Sequence, residues 1–360
     1  MTPRERTASE SLHALRENIL DHGWIDVRSE KEFAEGHFPG FVNIPILNDD
    51  HRHQVGLCYK TRGQAAAVEL GHELVDPLRP RLIAAWRDVA SRSRTGTARV
   101  ACWRGGMRSQ IASDWMAEAG IPVERIVGGY KALRREVLGV LEKRPSVILL
   151  SGPTGSGKTV LLNRLKRPAL DLEGLAVHRG SSFGRHAGRP QPAQATFENL
   201  VGLRMMASAH LPWVVEDESR LVGRLLIPRP LLEAMQAAPR VVLESPIEDR
   251  VRHVHAEYVN EPLDGGRDRA ALLVDLSEAL GRIRNRLGGL REQQLQAELR
   301  KAFEADDASL RNSVTHRTWI EPLLLEYYDP LYQYAASRRA GPVVFKGNEA
   351  ECRAYLEGAS

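Results

Sequence analysis

The chain has 360 residues, 42% of them hydrophobic and 27% charged, with 50 basic and 46 acidic residues giving a formal net charge of +4. At roughly 100–200 residues per domain this length suits two domains with sizeable cores, and the composition is that of an ordinary globular protein. No apolar run approaches the ~18–20 residues of a membrane span, the N-terminus leads into no apolar signal core, and Cys58, Cys102 and Cys352 are too scattered for a disulfide framework or a zinc site, so a cytoplasmic protein without membrane contact is expected.

The first 140 residues alternate short apolar runs with amphipathic segments. Trp24–Val27 reads as a strand, and Ser29 is placed to cap a short helix running to Glu35. Phe41–Ile44 is a second strand, closed by Pro45. Arg99–Cys102 is a third, followed by a glycine-containing loop and a helix from about Arg108 to Glu118. Arg125–Val127 precedes Gly128-Gly129 and a basic helix. Arg144-Pro145 then punctuates the chain and the pattern restarts: an apolar run over Ser146–Leu150, a glycine-rich turn, and a helix opening near Gly157. Strands are expected at Trp213–Val215, Val241–Leu243 and Val343–Phe345, the last before a C-terminal helix. Helical periodicity from about Arg267 to Leu310 marks a helical insertion. The fold class is α/β: a mostly parallel-sheet domain over 1–143, then a second α/β domain over 144–360 with a helical subdomain at about 260–315.

Two loops carry chemistry. In Cys102-Trp103-Arg104-Gly105-Gly106-Met107-Arg108-Ser109, a cysteine lies between a strand and a helix with an arginine six positions on. Such a loop can curl its N–H groups around the sulfur, with the helix N-terminus and Arg108 adding positive potential that favours a thiolate. Cys102, Arg104 and Arg108 are the candidate catalytic residues. The same spacing occurs in tyrosine phosphatases and rhodaneses. Ala101 stands where phosphatase loops usually carry histidine. Upstream, Asp26-Val27-Arg28, Glu32-Phe33 and Gly36–Pro45 resemble the rhodanese signature, which implies a rhodanese-like first domain whose cysteine carries sulfur or selenium. Asp26 and Arg28 are expected to anchor the strand–helix junction.

The second loop is Gly152-Pro153-Thr154-Gly155-Ser156-Gly157-Lys158-Thr159. It fits the phosphate-loop pattern fully and stands between an expected strand and helix, so the second domain is P-loop NTPase-like. Gly152, Gly155, Ser156 and Gly157 bring backbone N–H groups to phosphate oxygens, Lys158 adds charge, and Thr159 can ligate Mg²⁺. Trp213–Ser219 resembles the acidic strand end of such domains, with Asp217 or Glu216 as the second metal residue. The motif leaves open which polyphosphate binds. Basic residues also cluster: no acid occurs from Gly174 to Phe197 while Arg179, Arg185 and Arg189 do, and Arg282, Arg284, Arg286 and Arg291 share a second acid-free stretch. Arg179, Arg185, Arg189, Arg282, Arg284 and Arg286 are the candidate RNA contacts; a solvated face is the plain alternative.

The two loops in one chain are an unusual combination. Asp171–Gly184, Gly56–Lys60, Gly128–Arg134, Phe197–Leu200, Glu216–Arg220 and Glu326–Pro330 resemble stretches of the tRNA 2-selenouridine synthase family, and the likeness spans about residues 24–346. The resemblance implies a selenotransferase with geranyltransferase activity. It would convert the wobble 2-thiouridine of tRNAs for Lys, Glu and Gln to 2-selenouridine, using geranyl diphosphate and selenophosphate as co-substrates and a selenophosphate-producing enzyme as upstream partner. Cys102 would carry selenium as a perselenide, held by Arg104 and Arg108, and the diphosphate would lie in the loop 152–159. Cys58 is either a second redox thiol or a packed one. A monomer is the working expectation. The alternative activity is a persulfide-carrying tRNA sulfurtransferase with a nucleotide-activated acceptor.

Overall fold

The computed structural model describes residues 3–17, 22–180, 183–184, 189–206 and 212–358. The chain divides into two compact units, residues 1–142 with 192–207, and residues 143–191 with 208–360. Among the described residues no helix is long and apolar enough to cross a membrane.

The first unit is built on five parallel strands: β1 (Arg4–Arg6), β2 (Trp24–Asp26), β3 (Phe41–Asn43), β4 (Ala98–Ala101) and β5 (Val123–Ile126), in the order β1-β5-β4-β2-β3. A parallel sheet is covered on both faces, so its inner strands are mostly apolar, and β2 and β4 are buried along their whole length, including the paired charges of Asp26 and Arg99. Trp24, Trp86, Met116 and Leu133 fill the space between sheet and helices with no exposed surface. The helix after Ser29 spans Glu30–Ala34, and the Glu32 carboxylate accepts from the Ser29 N–H at 3.1 Å, fixing its first turn. Strand β1 is polar in sequence and carries no apolar signal; it is held by register with β5 and by an Arg6–Glu124 ion pair at 2.8 Å.

One element of this unit comes from far along the chain. The helix Gln194–Met205 packs on the helix Gly129–Leu141, so the division is not a single cut near residue 143. Phe197 and Val201 are fully buried. Gly202 permits the close approach, since a Cβ there would lie 2.4 Å from Val137 Cγ1. Polar ties add direction: Arg134 donates to Asn199 Oδ1 at 2.9 Å and pairs with Glu198, and the His37 N–H donates to Thr196 Oγ1 at 3.1 Å.

The second unit has strands β6 (Val147–Ser151), β7 (Ala169–Leu170), β8 (Trp213–Glu216), β11 (Arg240–Leu243) and β12 (Val343–Gly347), all parallel, in the order β12-β11-β6-β8-β7; β9 (Leu221–Val222) and β10 (Leu225–Leu226) form a separate short hairpin. The expected helical segment is present as Arg269–Leu287, Gly289–Glu304, Asp307–Leu310 and Ser313–Pro322. Its core also takes in Val251, Val254, Tyr258 and Leu324, so the helical layer begins before residue 260 and continues past 315. Inside it the Trp319 indole donates to His316 Nδ1 at 3.0 Å, leaving His316 Nε2–H to donate to the Leu310 carbonyl at 3.0 Å. Burial and the adjacent His255 push His316 down to about 4, which keeps it neutral.

Candidate functional site

The cysteine loop leaves the end of β4 in the first unit. Cys102 is buried, its Sγ 3.2 Å from the Ser109 hydroxyl, which itself donates to the Gly106 carbonyl at 3.0 Å. The loop is shaped from below by the glycine pair after β5. The N–H groups of Tyr130 and Lys131 donate to the carbonyls of Cys102 and Trp103, each at 2.9 Å. Gly129 has φ +56, and a Cβ there would sit 2.2 Å from the Cys102 carbonyl oxygen, so only glycine fits. This explains why Gly128–Arg134 forms a motif with the cysteine loop although the two are distant in sequence.

Arg108 begins the helix Met107–Glu118 within its first turn and meets Glu32 through two bonds, at 2.6 and 3.1 Å. Burial works against the charged guanidinium, but the Glu32 bonds and charge outweigh it, and Arg108 is held above its ordinary value. Arg52 joins the same carboxylate at 3.2 Å. Arg104 is exposed on the loop. Asp26 and Arg28 form a buried pair at 2.7 Å; Arg28 also donates to the carbonyls of Glu32 and Gly36 and stacks 3.9 Å from the centre of the Tyr130 ring. They hold the strand–helix junction behind the loop. Cys58 is a buried free thiol on the helix Asp49–Val75.

In the second unit the glycine-rich loop follows β6, and the helix Lys158–Arg164 opens behind it. A cavity of about 810 Å³ lies over the loop. This is the crevice at the carboxyl ends of parallel strands where ligands of open α/β sheets bind. Gly157 caps the helix at φ +91, a conformation that favours glycine. The Ser156 hydroxyl is buried with no hydrogen-bond partner among the described residues, and Lys158 Nζ turns back to the carbonyls of Gly152 and Pro153, at 2.9 and 3.3 Å. An unpartnered hydroxyl and an ammonium resting on its own loop suit an anion with several oxygens. The loop is braced by Arg250, which donates to the Thr154 carbonyl at 3.0 Å and makes two bonds to Asp329, and by the His253 ring at 2.9 Å from the Gly155 carbonyl.

The acidic strand end differs from expectation in one residue. Asp217 is taken up by Arg339 at 2.5 Å and by the Ser151 hydroxyl at 2.6 Å. It is Glu216, fully buried, that accepts the Thr159 hydroxyl at 2.8 Å. Strand alternation explains this, since neighbouring residues face opposite ways. Among the described residues no group of three or more His, Cys, Asp or Glu side chains is arranged to hold a metal ion. Sequence reasoning singled out the acidic strand end with Glu216 but not Glu173 or Glu257, which join it around Lys158. Glu173, Glu216, Glu218 and Glu257 are all pushed up, in each case first by burial; neighbouring carboxylates add to it. Burial thus disfavours the charged form of each, which weakens the repulsion that an anion in the cavity would meet. The four acids come from three separate segments, so no single local motif places them together around Lys158.

The candidate RNA contacts separate in space. Arg179 lines the loop cavity but is engaged by Glu257 at 2.8 Å and Glu261 at 3.0 Å, with its guanidinium 4.9 Å from the centre of the Tyr258 ring. It is therefore a wall of that cavity and not an open phosphate contact. Arg286 lines the same cavity from the helix Arg269–Leu287, where Arg282 and Arg284 are also exposed. Arg189 is exposed, and Arg185 lies outside the described residues. Arg291 is paired with Glu326.

Fold and loops define the class: an α/β protein with a cysteine loop on one parallel-sheet unit and a P-loop on the other. The family model described as the tRNA 2-selenouridine synthase AAA domain matches residues 145–360. Curated relatives named tRNA 2-selenouridine synthase are similar along nearly the whole chain. The one from Hahella chejuensis is 42% identical over 351 residues, covering 93% of this chain and 91% of its own. That from Alcanivorax borkumensis is 42% identical over 352 residues, with 94% and 96% covered. That from Cupriavidus pinatubonensis is 42% identical over 351 residues, with 93% and 94% covered. The chain belongs to the tRNA 2-selenouridine synthase family.

Proposed function

We propose that the chain performs its family's reaction, the formation of 2-selenouridine in tRNA, in two chemical steps, one at each loop. The first is S-geranylation of wobble 2-thiouridine in tRNAs for Lys, Glu and Gln. The thiocarbonyl sulfur attacks the allylic carbon of geranyl diphosphate, a C–S bond forms, the C–O bond to diphosphate breaks with its electron pair leaving on oxygen, and the base gives up its N3 proton to solvent. The leaving group gains negative charge in the transition state, so Lys158 and the N–H groups of Gly152–Thr159 act where that charge develops. The buried, unpartnered Ser156 hydroxyl is the observation that carries this assignment. Mg²⁺ would be held by Thr159, Glu216 and diphosphate oxygens, a hard-oxygen set that suits a cation keeping several waters; when bound it supplies further neutralisation of the leaving group.

The second step exchanges sulfur for selenium at the rhodanese-like cysteine loop. Alkylation has turned a poor leaving group into a thiol. A C–Se bond forms at the base carbon, the C–S bond breaks, and geranyl thiol departs with a proton. Net, the S-geranyl base, selenophosphate and water give 2-selenouridine, geranyl thiol and phosphate, with no electrons gained or lost. Selenophosphate delivers selenide-level selenium to the base carbon directly, with the Cys102 thiol lying beside the donor without bonding to it, so no oxidant is needed, and Arg104 and Arg108 face the donor's negative charge. Exposed arginines of the second unit, Arg189, Arg282, Arg284 and Arg286, supply phosphate contacts to the anticodon stem-loop, whose unpaired bases can be presented without breaking a duplex. Mass spectrometry of thiolated tRNA incubated with enzyme, geranyl diphosphate and selenophosphate, each omitted in turn, tests the scheme. S-geranyl tRNA must appear without selenophosphate, and selenouridine must require both. Conversion without geranyl diphosphate, or with nucleoside triphosphate in its place, rejects it.

A further inference from the structure

The first unit holds a second cavity, of about 520 Å³, within the size range of small-molecule sites. Its walls are mostly apolar, with Ile46, Val55, Val68, Val75 and Ile111, and carry Gln64 and His72 among them. Two glycines of the helix Asp49–Val75, Gly56 and Gly71, open it. A Cβ at Gly56 would meet nothing within 4 Å, and one at Gly71 would meet only Val55 Cγ2, at 4.0 Å. Neither glycine has a positive φ. Glycine weakens a helix, and here neither backbone conformation nor close packing calls for it. What the two residues provide is space. Gly56 and Tyr59 belong to the Gly56–Lys60 run, a motif that neither loop uses.

One end of the cavity is different in character. Met107 and Arg108, the first residues of the helix that follows the Cys102 loop, border it, as does Arg52. Arg52 and Arg108 share the single carboxylate of Glu32, so two guanidinium groups face one acid and this end is net positive. An occupant that matches both ends has a short apolar body and an anionic attachment.

We propose that this cavity receives the ten-carbon isoprenyl chain of the S-geranyl nucleotide while selenium replaces sulfur at the Cys102 loop, with the cationic end facing the nucleotide's phosphates. The proposal rests on the geranylation reading above. The chain leaves as geranyl thiol in the step assigned to the cysteine loop, so an apolar receptor is needed beside that loop. An apolar cavity bordering Met107 and Arg108 meets that need. It also gives the enzyme a way to prefer an S-geranyl base over an unmodified one.

The test uses the full-length protein and synthetic anticodon stem-loops carrying S-geranyl- or S-methyl-2-thiouridine, with affinities read by fluorescence anisotropy. The wild type is expected to favour the S-geranyl form by about tenfold or more, since apolar burial grows with chain length. Gly56→Leu and Gly71→Leu each fill the space while raising helix propensity, so both variants are expected to fold. Each should reduce the ratio of the two affinities to near unity. A wild type with no preference, or a preference that survives both substitutions, overturns the proposal. Because the S-geranyl probe is made synthetically, this result is independent of whether the enzyme makes it. Failure of the wild type to geranylate thiolated tRNA would instead reject the functional reading.

Discussion

Arg28→Ala should unfold the first unit more easily by several kcal/mol. Arg28 and Asp26 are both almost wholly buried. The guanidinium bonds the carboxylate three times, at 3.0, 2.9 and 2.7 Å. It also holds the Glu32 and Gly36 carbonyls, at 3.1 and 2.8 Å, and lies over Tyr130. The alanine variant leaves Asp26 with the backbone N–H of residue 28 as its one remaining donor of that group, at 3.0 Å. Breaking a buried pair by removing one partner costs about 3–5 kcal/mol, because the other charge stays buried. Replacing both, as Asp26→Asn with Arg28→Met, should cost clearly less than the sum of the single changes. Urea unfolding followed by tryptophan fluorescence reads this, since Trp24, Trp86, Trp103 and Trp115 all lie in the first unit. A drop in stability below about 1 kcal/mol for Arg28→Ala would refute the anchoring role. So would abolished selenium exchange with unchanged stability, which would place Arg28 in the chemistry.

Lys158→Ala should lower kcat/KM for geranyl diphosphate by about 2–4 kcal/mol, or roughly 30- to 1,000-fold, if Lys158 stabilises the leaving group as other charge-directed donors do; unchanged geranylation kinetics would remove the P-loop from this step. His316, held down to about 4 against an ordinary value near 6.5, binds a proton more readily unfolded than folded. Stability of the helical layer is therefore full above pH ~6.5 and falls by about 3 kcal/mol as pH drops towards ~4, levelling off below that. Thermal unfolding from pH 8 to 4 measures it, and His316→Phe should flatten that dependence. Arg284→Gln with Arg286→Gln should weaken tRNA binding and reduce the log-affinity versus log-salt slope by roughly 0.7–0.9 for each phosphate that the protein ceases to neutralise. Titration at several salt concentrations decides, and an unaltered slope places the RNA surface elsewhere.

Local sequence carried the parts of this protein that local physics controls. The phosphate loop was legible because its glycines, Lys158 and Thr159 are consecutive and stand between an apolar strand and a helix. The Cys102 loop was legible for the same reason, and Ser29 with Glu32 marked a helix start. Strand β1 was not, because its three residues Arg4-Glu5-Arg6 show no apolar pattern and find their partners in Glu124–Ile126, far along the chain. The helix Gln194–Met205 was not assigned to the first unit because its partners, Arg134, Val137 and His37, lie at least 50 residues away. Arg179 looked like a phosphate contact in an acid-free stretch; the acids that engage it, Glu257 and Glu261, arrive from about 80 residues downstream. Asp217 and Glu216 stayed alternatives as metal residue because sequence cannot tell which side of a strand end faces the loop. The former is held by Arg339 and the latter by Thr159.

The division of labour between the two loops is tested most directly by Cys102→Ala. The full-length variant, its folding checked by circular dichroism, is incubated with thiolated tRNA, geranyl diphosphate and selenophosphate, and the wobble base is followed by mass. S-geranyl tRNA is expected to accumulate at near the wild-type rate while selenouridine does not form, because only the second step uses the Cys102 thiol. Full selenium incorporation by the variant, or absence of both products with a folded protein, would contradict it.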